Sequence, residues 1–365
     1  MAFSGESGVL VTSEGRGNRH AWAETGTEDL GNGLYRIPLP LPGDALHAVN
    51  VYAITGPGGV DLIDSGMAIT AAREQLTAAL AGLGLTLGDI RNFFITHIHQ
   101  DHYTLAVALR GSLAGKISLG AGERVNLDAI RSARGQRRDP SFIAMLHAMG
   151  AGEVARAARK GLGSGITGLP PGFTWEEPDE WLADGAAIDL GPRTLRAIHT
   201  PGHTQGHVVF HDEAASLMFA GDHVLPHITP SIGFQPGITR LALRDFLASL
   251  RLMLTLPDSQ LLPAHGPAGG STHARVNELL AHHEDRLAQV LAVASAGPVT
   301  AFDVASAIPW TRRQRQLADL DPFNQVLAVG ETAAHLEVLV VRGQLARHAS
   351  GEGIETYAVP ATAPQ

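Results

Sequence analysis

Short apolar runs that end in turn residues dominate the first hundred residues of the chain. The segments NGLYRIPLP and AVNVYAI are rich in β-branched and aromatic residues and predict strands, and GPGGVDLIDSG predicts a turn followed by a strand. AITAAREQLTAALAGLGL has helical periodicity and stops at glycine, and NFFIT is another apolar run. Strand, helix and strand within about 45 residues predict a layered α/β arrangement.

Histidine and aspartate are concentrated directly behind the last of these apolar runs. The segment FFITHIHQDHY contains His97, His99, Asp101 and His102. Open α/β sheets commonly place their ligands at the C-terminal ends of strands. Residues two apart on an extended segment face the same way, so we expect His97 and His99 to converge on one ion. Asp101 and His102 follow after a turn and are expected to begin a second site.

The middle of the chain predicts helices followed by more strands. Residues from about 105 to 174 are mostly helical in pattern, with GERVNLDAIRSA and PSFIAMLHAMGAGEVARAARKGL as the clearest stretches of this insertion. TLRAIHT, HVVFHD, ASLMFAGD and SQLLPAHG then predict short strands whose ends again carry histidine or aspartate. Two β-rich halves separated by helices predict an αββα sandwich over residues 23–270, behind a mobile tail at residues 1–22.

The C-terminal part changes character. THARVNELLAHHEDRLAQVLAVAS, TAFDVASAI and FNQVLAVGETAAHLEVLVVRGQL predict three helices, and LARHASGEGIETYAV predicts two strands around a glycine-rich turn. This is the order of a winged-helix unit, which we assign to residues 271–360. A basic cluster follows Trp310 and would suit DNA binding; it consists of Arg312, Arg313 and Arg315. The acidic charge of the whole chain instead favours a module for packing or dimerisation. The candidate assembly is therefore a homodimer.

Composition restricts the chemistry. The chain has 365 residues, 44% of them hydrophobic, a net charge of -9, 18 histidines and no cysteine. Without cysteine, a metal must be held by nitrogen and oxygen. The negative charge disfavours nucleic acid as a partner. No apolar stretch approaches the roughly 18 residues of a membrane span, and the N-terminal sequence has no signal-peptide pattern, which together predict a cytoplasmic protein without membrane association.

These motifs resemble those of the metallo-β-lactamase superfamily. Its two alternating histidines followed by Asp-His match residues 97–102, and its later single ligands match histidine or aspartate beside glycine in HTPGHTQGH, FAGDHVL and LLPAHG. The resemblance covers residues from about 30 to 358 and implies an αββα fold. The ligands that it implies are, for one ion, His97, His99 and His203, for the other, Asp101, His102 and His265, and as a bridge between them, Asp222.

Residues beside these ligands also receive expected roles. The resemblance gives Asp64, in DLIDSG, a supporting role behind the ligands. His207 and His223 neighbour ligands and are expected to support them or to line the pocket. Thr104 stands where relatives often have glycine, so that Tyr103 and Thr104 are expected to reshape the mouth of the site.

The ligand types separate the branches of the family. Class B β-lactamases lack the bridging aspartate and commonly use cysteine, whereas this chain has Asp222 and no cysteine. Flavodiiron relatives have glutamate where this chain has His99. The ligands therefore disfavour both branches. The sequence most resembles glyoxalase II-like hydrolases with a C-terminal winged helix, a group that contains acyl-CoA thioesterases and an endoribonuclease. The resemblance implies two divalent ions, with zinc as the default and iron or manganese able to use the same ligands.

This branch implies a binuclear hydrolase in which a metal-bridging hydroxide attacks the carbonyl of a small-molecule thioester or ester, with Asp101 orienting the hydroxide and taking up its proton. Two alternatives are left open: a metal-dependent ribonuclease, and a mononuclear iron persulfide dioxygenase that uses a subset of the ligands. Within the insertion, one apolar stripe predicts either a lid over an acyl chain or packing onto the sandwich. Its residues are Phe142, Ile143, Met145 and Leu146.

Overall fold

Two β-sheets packed face to face, with helices on both outer surfaces, form the centre of the molecule. The computed structural model describes residues 20–41, 46–112, 115–133, 140–161, 168–233, 239–311 and 313–360. Most of the predicted N-terminal tail and Arg312 therefore lie outside the described residues. The predicted αββα sandwich is confirmed.

Within the described residues, the first sheet has seven strands, β1 to β7, in sequence order. They are Glu28–Gly31, Leu34–Pro40, Ala48–Gly56, Gly59–Ile63, Ile90–Ile95, Lys116–Gly120 and Glu180–Leu182. The pairs from β1 to β4 are antiparallel, whereas β4, β5, β6 and β7 run parallel. Because parallel strands end at the same edge of a sheet, the segments that follow β4 and β5 emerge side by side.

The second sheet has the order β12-β11-β10-β9-β8. Its strands, in chain order, are Ala187–Asp189, Thr194–His199, Val208–Asp212, Leu217–Gly221 and Gln260–Pro263. β11 and β12 are parallel, and the other pairs are antiparallel. An apolar core fills the space between the two sheets, with edge-on aromatic contacts between Phe94 and Phe210 and between Tyr52 and Phe219.

Helices cover both outer faces. The first sheet is covered by α1 to α3, which span Thr70–Gly82, Gln100–Leu109 and Arg124–Ala133. The second sheet is covered by α4 to α9, which span Pro140–Ala148, Gly152–Gly161, Ala242–Met253, Thr272–Ala294, Ala301–Ala307 and Pro322–Val341. A hairpin of β13 and β14, Ala346–Ala349 and Glu355–Ala358, follows α9. No described helix has the length and apolarity of a membrane span.

The region predicted as a helical insertion is divided between the sandwich and its helical cover. β6 lies inside that range and pairs with β5, so the range includes part of the first sheet. The longest predicted helix is interrupted at Gly150, which has a φ of 76° in the left-handed region that glycine tolerates. Leu146 is fully buried in the core shared with the C-terminal helices, and Phe142 and Ile143 pack against it. These contacts favour the packing interpretation of the apolar stripe.

Candidate metal centre

The predicted ligands meet where strands of both sheets end. His97 and His99 lie in the loop that follows β5, and His99 is the N-cap residue of α2, so that Asp101 falls in the first turn of this helix. His203 lies in the loop between β9 and β10. Asp222 directly follows β11, and because β12 is parallel to β11, the histidine behind β12 reaches the same edge.

The first group of ligand atoms comes from His97, His99, His203 and Asp222, whose potential donors lie within 4.8 Å of one another. Nε2 of His97 and Nε2 of His203 lie 3.0 Å and 2.9 Å from Nδ1 of His99. Oδ2 of Asp222 lies 3.5 Å from Nε2 of His203. Three imidazole nitrogens and one carboxylate oxygen at these separations suit a tetrahedral divalent ion.

The second group comes from Asp101, His102 and His265. Nε2 of His265 lies 3.4 Å from Oδ2 of Asp101 and 3.3 Å from Oδ1 of Asp222. Nε2 of His102 lies 3.6 Å from the same Asp222 oxygen. The Asp222 carboxylate therefore directs one oxygen toward each group.

Hydrogen bonds to the opposite ring nitrogens orient the histidines. Nδ1 of His203 lies 2.9 Å from the Ser231 carbonyl, and Nδ1 of His265 lies 2.7 Å from the Ala48 carbonyl. A carbonyl oxygen can only accept, so both Nδ1 atoms must carry a proton, and in the neutral ring the lone pair is then on Nε2. This is the tautomer that a metal ligand requires.

Asp64 performs the corresponding role for His102. Its Oδ2 lies 2.9 Å from Nδ1 of His102, and its Oδ1 accepts from the Thr96 backbone N–H at 2.8 Å. The backbone of Asp64 has a φ of 61°, which is uncommon for a non-glycine residue and marks a constrained turn at the end of β4. The carboxylate thus joins the turn behind β4 to the ligand loop behind β5.

The charge balance of the centre fits a cation. Within the described residues, Nε2 of His102, Nε2 of His265 and Oδ1 of Asp222 are buried without a hydrogen-bond partner. Burial alone would lower the pKa of His102, but Asp101 and the other carboxylates raise it to about 10. Carboxylates that attract a proton so strongly will also attract a divalent ion, which displaces the proton on binding.

For histidines of the first group, the pKa is lowered instead of raised. Burial lowers the pKa of His99 to about 3, and the neighbouring His203 adds to the decrease. Burial also lowers the pKa of His97, again with help from nearby histidines. These rings are therefore neutral at physiological pH, with lone pairs available to an ion.

His207 and His223 lie behind the first group. Nδ1 of His207 lies 2.9 Å from the Thr200 hydroxyl, and its Nε2 accepts from the Asp222 backbone N–H at 3.2 Å. His207 thus holds the backbone of the bridging aspartate. His223 is fully buried and packs edge-on against Phe246, where burial lowers its pKa to about 3.

The prediction that Tyr103 and Thr104 lie at the mouth of the site does not agree with the structure, because both residues lie on the buried side of α2. Tyr103 is fully buried, packs parallel to Trp175, and donates its hydroxyl proton to the Glu176 carbonyl at 2.9 Å. The Thr104 hydroxyl donates to Gln100 within the helix and accepts from the Ala68 N–H at 2.9 Å. Neither residue is positioned to narrow the entrance.

Glu123 is a site residue that the sequence interpretation missed. It is fully buried in the short 3-10 turn that follows β6 and accepts from the Ile98 N–H at 3.3 Å and from the Thr204 hydroxyl. Asn126 donates to its other oxygen at 2.6 Å. Ile98 lies between two ligands and Thr204 follows a third, so this carboxyl connects the two ligand loops. Burial raises its pKa to about 7.

Two family models match the chain. One, described as metallo-beta-lactamase superfamily, matches residues 45–265, and the other, described as metallo-beta-lactamase-like, C-terminal domain, matches residues 287–360. Among curated relatives, the chain is 25% identical over 319 residues to "Probable metallo-hydrolase YqjP" of Bacillus subtilis (strain 168), covering 83% of this chain and 90% of that protein.

A relative and a solved structure add to this comparison. The chain is 32% identical over 113 residues to "Atrochrysone carboxyl ACP thioesterase" of Aspergillus fumigatus, covering 30% of this chain and 25% of that protein. The crystal structure of a metallo-beta-lactamase family protein from Thermus thermophilus has 29% identity and a TM-score of 0.73, covering 91% of this chain and 100% of that chain. The similarity to the solved structure therefore extends well beyond the ligand motifs.

Proposed function

Because this chain belongs to the metallo-β-lactamase superfamily and is a metallo-hydrolase, we propose that it is a binuclear hydrolase of thioesters or related carboxylic esters. The arrangement of Asp222 carries this proposal. One of its oxygens lies 3.5 Å from His203 and the other lies 3.3 Å from His265. A carboxylate that faces two separate ligand groups is the arrangement expected of a two-metal hydrolase.

The ligands suit zinc, and iron or manganese could use the same nitrogen and oxygen set. When bound, two divalent ions would supply an activated water at neutral pH and an electrophile for the carbonyl oxygen. The chain would contribute the geometry, because the ligands are fixed by partners such as Asp64 and the Ser231 carbonyl.

Asp101 would accept the proton of the attacking water. Burial alone would raise the pKa of Asp101, but His102 and His265 lower it below the usual aspartate range, so it is ionised at physiological pH. Its side chain is 17% exposed, whereas that of His102 is fully buried, so that Asp101 is the more accessible of the two. A thiolate leaves without a proton donor, and this favours thioesters over amides.

One relative also supports a thioester substrate. The Aspergillus fumigatus protein named as an ACP thioesterase matches a 113-residue segment of this chain. That match covers 30% of the chain. It supports a thioester as the bond that is cleaved, and the acyl group has to be identified by experiment.

The test is a substrate panel with metal-depleted and reconstituted protein. We expect acyl thioesters to be hydrolysed after reconstitution with Zn²⁺, Mn²⁺ or Fe²⁺ and the chelated protein to be inactive. Asp222→Ala should lose turnover, whereas Arg73→Ala, an exposed change on α1, should retain it. Oxygen consumption with a persulfide at one iron per chain, or cleavage of single-stranded RNA without thioester hydrolysis, would contradict the proposal.

A further inference from the structure

A large cavity joins the metal centre to the C-terminal helices. It has a volume of about 1390 Å³, and its lining includes His265 and Ser231 on the side of the metal centre. Its lining also includes Trp310, Arg313 and Arg315, which lie in the segment between α8 and α9. Pockets for small molecules typically measure roughly 300–1,000 Å³. The cavity is therefore larger than an ester group alone requires, and it extends to an arginine-bearing loop.

Backbone hydrogen bonds join Trp310 and Arg315, the two ends of a loop between α8 and α9. The backbone N–H groups of Trp310 and Arg315 each donate to the carbonyl of the other at 2.7 Å. The buried Trp310 indole donates to the Ala305 carbonyl at 2.7 Å. The guanidinium of Arg286 lies 4.2 Å from the centre of the indole ring. Arg313 and Arg315 therefore belong to a loop whose ends are joined to each other and whose Trp310 is anchored by hydrogen bonds.

The side chains of Arg313 and Arg315 are exposed and are available to a ligand. Within the part of the chain that the structure describes, neither guanidinium forms an ion pair or a hydrogen bond. Most other arginines that line or border the sandwich are paired, as Arg240 is with Glu355 at 2.7 Å. Each of these two unpaired guanidinium groups can offer a fork of donors to a phosphate.

The carboxylates of the same cavity only partly offset this positive charge. Glu278 pairs with Arg275 at 2.7 Å, and Asp321 caps the N-terminus of α9. Burial raises the pKa of Glu331, which favours its neutral form. The Asp285 and Asp321 carboxylates of the lining therefore face three guanidinium groups at the loop end, those of Arg286, Arg313 and Arg315. The loop end of the cavity is therefore net positive, although the chain as a whole is acidic.

We propose that Arg313 and Arg315 bind the phosphate of an extended thioester carrier arm, whose acyl end reaches the metal centre. This inference rests on the proposed thioester hydrolysis. The cavity provides room for a long arm, and its lining includes both the two arginines and His265 of the metal centre. The phosphate would lower KM and leave kcat unchanged, because it is bound equally in the ground state and in the transition state.

The experiment compares three thioesters of one acyl group, carried on coenzyme A, on pantetheine without phosphate, and on N-acetylcysteamine. We expect wild-type KM to be about tenfold or more lower for the coenzyme A thioester than for the pantetheine thioester. The Arg313→Ala/Arg315→Ala double variant should raise KM for the coenzyme A thioester by about tenfold and should leave KM for the pantetheine thioester unchanged. The unchanged pantetheine reaction reports on folding, and Arg73→Ala serves as the matched control for loss of an exposed arginine.

Failure of this inference and failure of the proposed function give different results. Equal KM values for coenzyme A and pantetheine thioesters, or no effect of the double variant, would overturn the phosphate site and leave the hydrolase intact. No hydrolysis of any of the three thioesters would overturn both. A thioester on a carrier protein should respond to the double variant as the coenzyme A thioester does. An effect seen only with the carrier protein, or loss of single-stranded RNA binding instead, would assign the arginines to another ligand and would overturn the inference.

Discussion

Replacement of Glu123 by alanine should strongly destabilise the fold at the two ligand loops that this residue connects. The Glu123 carboxyl accepts from Ile98 at 3.3 Å, from Asn126 at 2.6 Å and from the Thr204 hydroxyl. Glu123, Asn126 and Thr204 are all fully buried. Alanine would leave these three donors buried without their acceptor, and water would have to enter to replace it.

The expected cost is large on the scale of protein stability. An unsatisfied buried donor costs about 1–3 kcal/mol, so three donors predict a loss of roughly 3–9 kcal/mol in the free energy of unfolding. Domains are stable by about 5–15 kcal/mol in total. Glu123→Gln is the matched control. Its amide oxygen can accept from Ile98 and Thr204, and its NH₂ group can donate to the Asn126 amide oxygen once that amide turns over, so we expect a loss of about 1 kcal/mol.

Urea denaturation followed by circular dichroism measures both variants, and elemental analysis gives their metal content. We expect Glu123→Ala to unfold at a much lower urea concentration and to retain less metal, because the His99 and His203 loops lose their connection. A free energy of unfolding for Glu123→Ala within about 0.5 kcal/mol of wild type, which is the scale of an ordinary surface change, would refute the assigned role of Glu123.

Two further predictions concern support of the centre and pH dependence. Asp64→Asn removes the negative charge behind His102, and we expect metal affinity to fall by roughly 10–100-fold in a competition titration with a chromophoric chelator; unchanged affinity would rule out this role. His335 is fully buried with Nε2 at 3.2 Å from His283, and burial lowers its pKa to about 4, below the roughly 6.5 of an unfolded histidine. Between these two pH values, His335 is protonated in the unfolded chain and neutral in the folded chain. The free energy of unfolding should therefore fall as pH decreases from about 6.5 to about 4, by up to roughly 3 kcal/mol from this residue. His335→Gln should flatten urea midpoints measured across that pH range; an equally steep dependence in the variant would contradict the assignment.

The ligand motifs could be read from the sequence because each ligand follows an apolar run that fixes its place. Residues two apart in the loop behind β5 face one group, and single residues behind β11 and β12 are brought together by parallel strands. The sandwich followed from the same runs. The division of the predicted insertion between the first sheet and the helices could not be predicted from these runs. The reason is that β6 is only five residues long and is embedded in sequence with a helical pattern.

Side-chain direction accounts for the remaining differences. The position of Tyr103 beside a ligand in the sequence predicts a place at the site mouth. One step along a helix, however, turns a side chain by about 100°, and here it directs Tyr103 into the core. Glu123 has no pattern of its own, and its contacts are with loops 25 and 81 residues away in the chain. Such long-range hydrogen bonds become visible only in the folded structure.

The binuclear centre is tested most directly by counting metal ions. Native mass spectrometry of the protein saturated with Zn²⁺ should show two ions per chain, because His97, His99 and His203 form one group, and Asp101, His102 and His265 form the other. The same measurement on Asp222→Ala should show the loss of at least one ion, since this residue faces both groups. A single ion per saturated wild-type chain would contradict the two-metal centre.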